Sequence, residues 1–284
     1  MVSAVIAKII SMQSSLTVSE NEIAQYVINH PDQVVVSTIT AAAQSTHTSE
    51  ASINRFCKKI GFKGFNSFKV ALAQDSFYNS MREAEPVNQD SFIAAISQDY
   101  RHMLINTTAM LDENQVFRAA AEMYKASHIY IFSMSNTRFV AQQLEFRLGM
   151  AGLYSKAVTD LNDARILASG IGRDDVVLVI APTLLVKELY QAISICHGNG
   201  AVVISITSYD SPKLGDLIDH KFIISDKITT QNSVSISNNL MFLYVTDVLY
   251  CALLDKDKNL RQRRLNSDSI LDSQHRMDNS FFEF

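Results

Sequence analysis

Residues 37–61 read STITAAAQSTHTSEASINRFCKKIG, and this stretch decides the architecture of the first part of the chain. From Ser49 to Ile60 the apolar residues Ile53, Phe56, Cys57 and Ile60 recur at i, i+3, i+4 and i+7, the period of one face of an α-helix. Gly61 follows where a glycine closing a helix C-terminus belongs. Ahead of this helix a shorter one, from about Ser37 to Gln44, buries Ile39 and a run of alanines. The two helices and the short polar turn between them have helix-turn-helix proportions.

The outer face of the second helix carries Ser49, Glu50, Ser52, Asn54, Arg55, Lys58 and Lys59. Between Glu50 and Asp75 there is no acidic residue, while Arg55, Lys58, Lys59, Lys63 and Lys69 are basic. A DNA-reading helix needs this combination. Lys and Arg neutralise phosphates, and short polar side chains near the helix N-terminus reach base edges or phosphate oxygens. A solvated face on an ordinary helical domain would also be charged, but the turn, the cap and the acid-free run together favour DNA. Phe56, Phe62, Phe65 and Phe68 are expected in the core, since single-strand binders carry their stacking aromatics on sheets.

Towards the N-terminus, Val18-Ser19-Glu20-Asn21-Glu22 offers Ser19 as N-cap with Glu22 three residues on, a capping box opening the run Ile23, Tyr26 and Val27. Pro31 is expected to end that helix. The first residues, MVSAVIAKIISMQSSLT, hold Lys8 inside the apolar run and no other basic residue. They read as a short amphipathic helix rather than a secretion signal.

Towards the C-terminus, about Asp75 to Asn88 is polar, contains Pro86 and reads as a linker. Helical periodicity resumes from Ser91 through Tyr124. The period then changes. Short β-branched runs appear at His128–Phe132, Leu153–Val158, Asp175–Ala181, Ala201–Ile206 and Lys221–Ile224, with helical stretches between them. Strand and helix alternating in this way predict a parallel sheet with helices on both faces. Val176–Ala181 is apolar throughout, as a strand buried on both sides should be. A long apolar helix, roughly Ser233 to Leu254, closes the domain. The basic residues Lys256, Lys258, Arg261, Arg263 and Arg264 after it are balanced by Asp255 and Asp257 and read as a solvated helix end.

The segments LTVSENEIAQYVINHPDQVV and TSEASINRFCKKIGFKGFNSFKVALA resemble the N-terminal domain of the RpiR/MurR family of bacterial transcriptional regulators. Residues Ser49 to Gly64 match that family's recognition-helix signature over nearly their whole length. One departure is His47, in the turn where the family usually has glycine; histidine tolerates the left-handed backbone better than most residues. The resemblance continues in register through the second domain, which in this family is a SIS (sugar isomerase) fold. It implies an α plus α/β protein: an all-helical helix-turn-helix domain over 1–77, a linker over 78–90, a three-layer α/β/α SIS-type effector and oligomerisation domain with a five-stranded parallel sheet over 91–255, and a C-terminal tail over 256–284. Ser49, Glu50, Ser52, Asn54, Arg55, Lys58, Lys59 and Lys63 are the expected DNA-binding residues.

By the same resemblance, SIS domains hold a sugar phosphate in loops at the carboxyl ends of the strands. The first loop usually reads Gly-x-Gly-x-Ser; here it is Ser133-Met134-Ser135-Asn136-Thr137, with both glycines gone. The second usually reads Ser-x-Ser-Gly-x-Thr-x-Glu; here it is Ala181-Pro182-Thr183-Leu184-Leu185-Val186-Lys187-Glu188. Ser133, Ser135, Asn136, Thr137, Thr183, Lys187 and Glu188 are the expected effector-binding residues. A phosphate cradle needs closely approaching N–H groups and hydroxyls. Leu184 and Val186 provide neither, so loss of family-type phosphate binding in the second loop is favoured. Asp160 and Asn162 after the second strand could line the same cleft or simply cap a helix. Glu188 is the sole family-matched carboxylate, while His197 and His220 match no catalytic position. No catalytic residue, cofactor or metal is expected, and the chain is read as a regulator rather than an enzyme. A sugar-phosphate isomerase and a regulator whose SIS domain only oligomerises are the alternatives.

Composition agrees. There are 9 glycines in 284 residues, about 3% against roughly 7% in an average protein, which disfavours a rich set of glycine-lined phosphate loops. A net charge of -4 excludes a polyelectrolyte and leaves room for a local basic face. Cys57, Cys196 and Cys251 are scattered, unlike a disulfide framework or a zinc site. No apolar stretch approaches the ~20 residues that span a bilayer. The expected setting is the cytoplasm, and the expected partners are double-stranded operator DNA, a small metabolite of the sugar-phosphate class, and further copies of the chain as a homodimer or homotetramer.

Overall fold

The computed structural model describes residues 4–73, 91–210 and 212–275. The first segment is all-helical: α1 (Ala4–Met12), α2 (Val18–Asn29), α3 (Pro31–Val36), α4 (Ile39–Ser45), α5 (Glu50–Lys59) and α6 (65–73). Its core joins Ile9 of α1, Ile23 and Val27 of α2, Ile53 and Phe56 of α5, and Phe68 and Leu72 of α6, all at most 3% exposed. The phenylalanines belong to this core: Phe56 and Phe62 both meet the Phe68 ring edge-on.

Two local readings change. The N-cap of α2 is Thr17, not Ser19. Its hydroxyl accepts from the Glu20 N–H, while the Glu20 carboxylate accepts from the Thr17 N–H at 2.9 Å. Thr17/Glu20 and Ser19/Glu22 both satisfy the capping-box spacing, and the first pair wins a tertiary partner, since Glu20 also meets Lys59 of α5 at 2.7 Å. Pro31 does follow the end of α2, but it also opens α3 as that helix's first residue, where its missing N–H costs nothing.

The second segment contains α7 (Phe92–Met110), α8 (Glu113–Lys125), β1 (His128–Ser133), α9 (Arg138–Met150), β2 (Ser155–Val158), α10 (Leu161–Ala168), β3 (Asp175–Ile180), α11 (Lys187–Gly198), β4 (Val202–Thr207), β5 (His220–Ile223), α12 (Asn239–Leu254) and α13 (Lys258–His275). The strands pair in parallel in the order β2-β1-β3-β4-β5. Alternation along β3 explains the continuous apolar run. Val176, Leu178 and Ile180 face one helical layer (α7, α8, α9, α12), while Val177, Val179 and Ala181 face the other (α10, α11). The three-layer α/β/α architecture expected from the strand spacing is therefore present.

At the C-terminal end, α12 starts at Asn239 rather than Ser233. The segment before it is held as a loop by the Asp99 carboxylate of α7, which accepts from the Asn232 N–H at 3.0 Å and from its side-chain amide at 2.8 Å. The expected tail is helical over α13, docked through Leu260, which is 3% exposed, and through Ser267, whose hydroxyl donates to the Met150 carbonyl. So few apolar residues anchor α13 that its periodicity is weak in the sequence. The linker expected over 78–90 lies outside the described residues.

Candidate functional site

The helix-turn-helix is held by its turn. Thr38 caps α4 by accepting from the Ala41 N–H, and Ser49 caps α5 by accepting from the Ser52 N–H at 3.1 Å. Between them, Thr46 turns its hydroxyl back to the Ala42 carbonyl at 2.8 Å and the Thr48 N–H returns to the Ala43 carbonyl at 2.9 Å. His47 has φ +51, so it occupies the left-handed position that glycine usually fills.

The eight expected DNA-binding residues separate into two groups. Ser49, Arg55, Lys58 and Lys63 are exposed and Ser52 is half-buried; an Arg55 guanidinium nitrogen reaches the Ser52 hydroxyl at 3.2 Å. The other three side chains are engaged in the fold. Glu50 accepts from the Thr40 hydroxyl at 2.6 Å, pinning the start of α5 to α4. Asn54 turns its side-chain oxygen to the Phe65 N–H at 3.2 Å, capping α6. Lys59 donates to the Ser15 carbonyl at 2.8 Å and pairs with Glu20. Burial opposes ionisation of Glu20, but the Lys59 ammonium and the Thr17 N–H outweigh it and lower its pKa. Behind α5, the Lys8 ammonium lies 5.9 Å from the centre of the Phe62 ring, and burial lowers its pKa.

In the α/β domain, the sheet order puts a topological switch point between β1 and β3. Loops at such a point, at the carboxyl ends of the strands, are where open parallel sheets bind ligands. The loops after β1 and β3 flank it, and the expected effector residues lie there with unequal access. Ser133 is fully buried, and its hydroxyl has no hydrogen-bond partner among the described residues. Thr137 is 2% exposed, and its hydroxyl lies 2.7 Å from the Ile180 carbonyl and 2.8 Å from that of Met134. It ties the first loop to the end of β3. Ser135, with φ +53, and Asn136 are exposed.

In the second loop the Thr183 hydroxyl accepts from the Leu185 N–H at 3.2 Å, while Lys187 is exposed and Glu188 half-buried at the start of α11. Leu184 is 2% exposed and packs into the core beneath α10 and α11. The Pro182 carbonyl accepts from the Thr207 hydroxyl and the Ser208 N–H, so the loop is fastened to the end of β4. Asp160 caps α10, accepting from the Asn162 and Asp163 N–H groups. Among the described residues no cluster of His, Cys, Asp or Glu is suited to a metal ion, and no helix is long and apolar enough to cross a membrane.

The two domains meet at a contact that sequence periodicity does not reveal. Asp210, in the loop after β4, donates its N–H to the Ser11 carbonyl at 2.7 Å. The Ser14 hydroxyl donates to the Asp210 carbonyl, and the Asp210 carboxylate holds Lys221 of β5 at 2.5 Å. Ser14 and Asp210 are 196 residues apart in sequence, so no short-range signal could have exposed the contact.

Comparison with known proteins agrees with both halves. Residues 3–77 match the helix-turn-helix domain of the rpiR family, and residues 122–252 match the SIS domain. An uncharacterised HTH-type transcriptional regulator of Caldanaerobacter subterraneus subsp. tengcongensis is 26% identical over 97% of this chain and 99% of its own length. The HTH-type transcriptional regulator HexR of Escherichia coli is 29% identical over 72% of each chain. Among solved structures, the Vibrio vulnificus NanR protein complexed with ManNAc-6P has a similar fold, with a TM-score of 0.60 at 20% identity over 96% of this chain and 99% of that one. The capped helix-turn-helix, the five-stranded SIS sheet and these matches together place the chain in the RpiR family of helix-turn-helix transcriptional regulators that carry a SIS domain.

Proposed function

We propose that this regulator places α5 in the major groove of an operator, with Ser49, Ser52, Arg55 and Lys58 facing the DNA and Lys63 beside them. The carrying observation is the division of labour on α5: Arg55 and Lys58 stand clear, while Glu50, Asn54 and Lys59 fix the helix in place. A single helix-turn-helix reads only a few base pairs, so a homodimer or homotetramer supplies the paired half-sites. The setting is the cytoplasm, and the genes controlled belong to carbohydrate metabolism, a reading supported by the likeness to HexR and NanR. Electrophoretic mobility shifts with DNA from beside the gene test it; no shift at any low-salt condition would overturn it.

The SIS domain acts as sensor rather than enzyme in this reading, which the likeness to relatives named as transcriptional regulators supports. A sugar phosphate is the effector class that the NanR complex supports, and Ser135, Asn136, Thr183, Lys187 and Glu188 are the residues left accessible to it. A second reading is favoured by Leu184, whose side chain fills the core where the phosphate-binding loop would have glycine. In that reading the domain has lost family-type phosphate binding and serves assembly alone. A thermal-shift screen with sugar phosphates separates the two. A true ligand at about 100 times its dissociation constant stabilises by roughly 2.7 kcal/mol, and uniform silence would favour the assembly role.

A further inference from the structure

A groove of about 760 Å³ runs beside the recognition helix, between the start of α4 and the start of α6. Ser37 and Thr38 ahead of α4, Lys63, Asn66 and Lys69 around the start of α6, and Asn54 of α5 line it. No carboxylate is among its lining residues. The groove therefore holds two cations with no opposing charge. It borders α5 through Asn54, and neither Arg55 nor Lys58 is among its lining residues.

We propose that this groove receives the DNA sugar-phosphate backbone next to the major groove read by α5, with Lys63, Asn66 and Lys69 as its phosphate contacts. The Lys69 ammonium is already held in the groove. It donates to the Ser37 carbonyl at 2.5 Å and lies 5.6 Å from the centre of the Phe65 ring. A lysine fixed in this way loses little side-chain freedom when a phosphate arrives, and it keeps donors that Ser37 does not use. Lys63 and Asn66 are exposed at the mouth, where a phosphate oxygen has access to both. Asn54 is already committed to the Phe65 N–H. It makes the wall between the base-reading edge and the groove rigid rather than reading a base itself. Backbone contacts of this kind fix register on the duplex and carry no sequence information.

The inference rests on the docking reading for α5, and the experiment keeps the two apart. Full-length protein and its Lys63→Ala, Lys69→Gln, Asn66→Asp and Arg55→Ala variants are titrated with a mixed-sequence duplex of about three helical turns over a range of salt concentrations. Sequence-independent binding isolates backbone contacts. The groove reading expects Lys63→Ala and Lys69→Gln each to flatten the plot of log affinity against log salt by about one unit. It expects Asn66→Asp to weaken binding several-fold by placing a carboxylate at the phosphate. Unchanged affinity and slope in all three, with Arg55→Ala still weakened, would overturn the groove and leave the α5 docking standing. Failure of the unmodified protein to bind any duplex would overturn both. Lys63 and Asn66 are surface residues, so those two variants remain decisive if Lys69→Gln perturbs the fold.

Discussion

The backbone N–H of Asp210 donates to the carbonyl of Ser11 at 2.7 Å, joining the loop after β4 to the C-terminal end of α1. Around this bond the Ser14 hydroxyl meets the Asp210 carbonyl, Lys221 meets the Asp210 carboxylate, and Lys59 at the end of α5 meets the Ser15 carbonyl. A short run of polar contacts thus connects the strand ends of the SIS sheet to the recognition helix. The β4 loop and α5 are linked through the end of α1 and the residues that follow it.

Ser14→Ala removes one bond of this junction and leaves both domain cores intact. It is expected to cost about 0.5–1.5 kcal/mol of interdomain cohesion, the net worth of a typical hydrogen bond. Amide hydrogen exchange over residues 11–16 should quicken, while β1, β3 and β4 keep their protection. Unchanged exchange at 11–16 would mean that the junction does not hold the domains.

The Glu20–Lys59 pair makes the helical domain sensitive to acid. The Glu20 pKa is lowered in the folded state, so its stabilisation is fully present above the ordinary glutamate value of 4.5 and is lost as pH falls through the folded pKa. Glu20→Gln should therefore lower Tm at neutral pH and narrow the gap to the unmodified protein below about pH 4. Thermal melts across that range check the sign; a gap that widens on acidification would refute the assignment.

Gly61 closes α5 at φ +98, and a Cβ there would lie 2.9 Å from the Lys8 ammonium nitrogen. The lysine can swing away, but the backbone cannot. Gly61→Ala should thus cost about 1–2 kcal/mol, the penalty of a side chain in left-handed backbone, measured by denaturant unfolding. His47, at φ +51, already bears such a strain in the turn ahead of α5. A fully neutral Gly61→Ala would show that the α5 C-terminus relaxes.

The sequence disclosed the elements whose signals are local. Gly61 at the end of α5, the buried face from Ile53 to Ile60 and the all-apolar β3 each follow from spacing within a few residues. The side-chain partnerships were hidden because their partners are remote. Glu20 rather than Glu22 forms the capping box because Lys59 approaches it from α5, and Asn54 turns away from the reading face because Phe65 presents a free N–H eleven residues on. In the loops after β1 and β3, alternation along β1 and the bond from Thr137 to the end of β3 determine that Ser133 and Thr137 are buried. Sequence could place both residues in the loop but could not show that packing withholds them from a ligand.

Leu184 is the clearest departure in the loop after β3. Its side chain is 2% exposed and packs with the core under α10 and α11, so Leu184→Ala should destabilise the SIS domain by about 2–5 kcal/mol. A phosphate-binding loop residue would show little loss of stability on truncation. Equilibrium unfolding of the variant decides between these, and a cost near zero would return the loop to the ligand.

The last prediction separates residues that contact DNA from residues that hold the helix, all within α5. Arg55 and Lys58 are exposed, so Arg55→Ala and Lys58→Ala should weaken DNA binding and each flatten its salt dependence by about one unit, with Tm nearly unchanged. Lys59 carries the same charge one residue further on, yet its ammonium is committed to Ser15 and Glu20. Lys59→Ala should leave the salt slope alone and lower Tm, because it strips the Glu20 carboxylate and the Ser15 carbonyl of their partner. Neighbouring lysines would then differ in kind rather than degree. If Lys58→Ala and Lys59→Ala shift the slope equally, the contacts of Lys59 with α2 do not survive on DNA, and α5 docks further along its axis than its exposed edge implies.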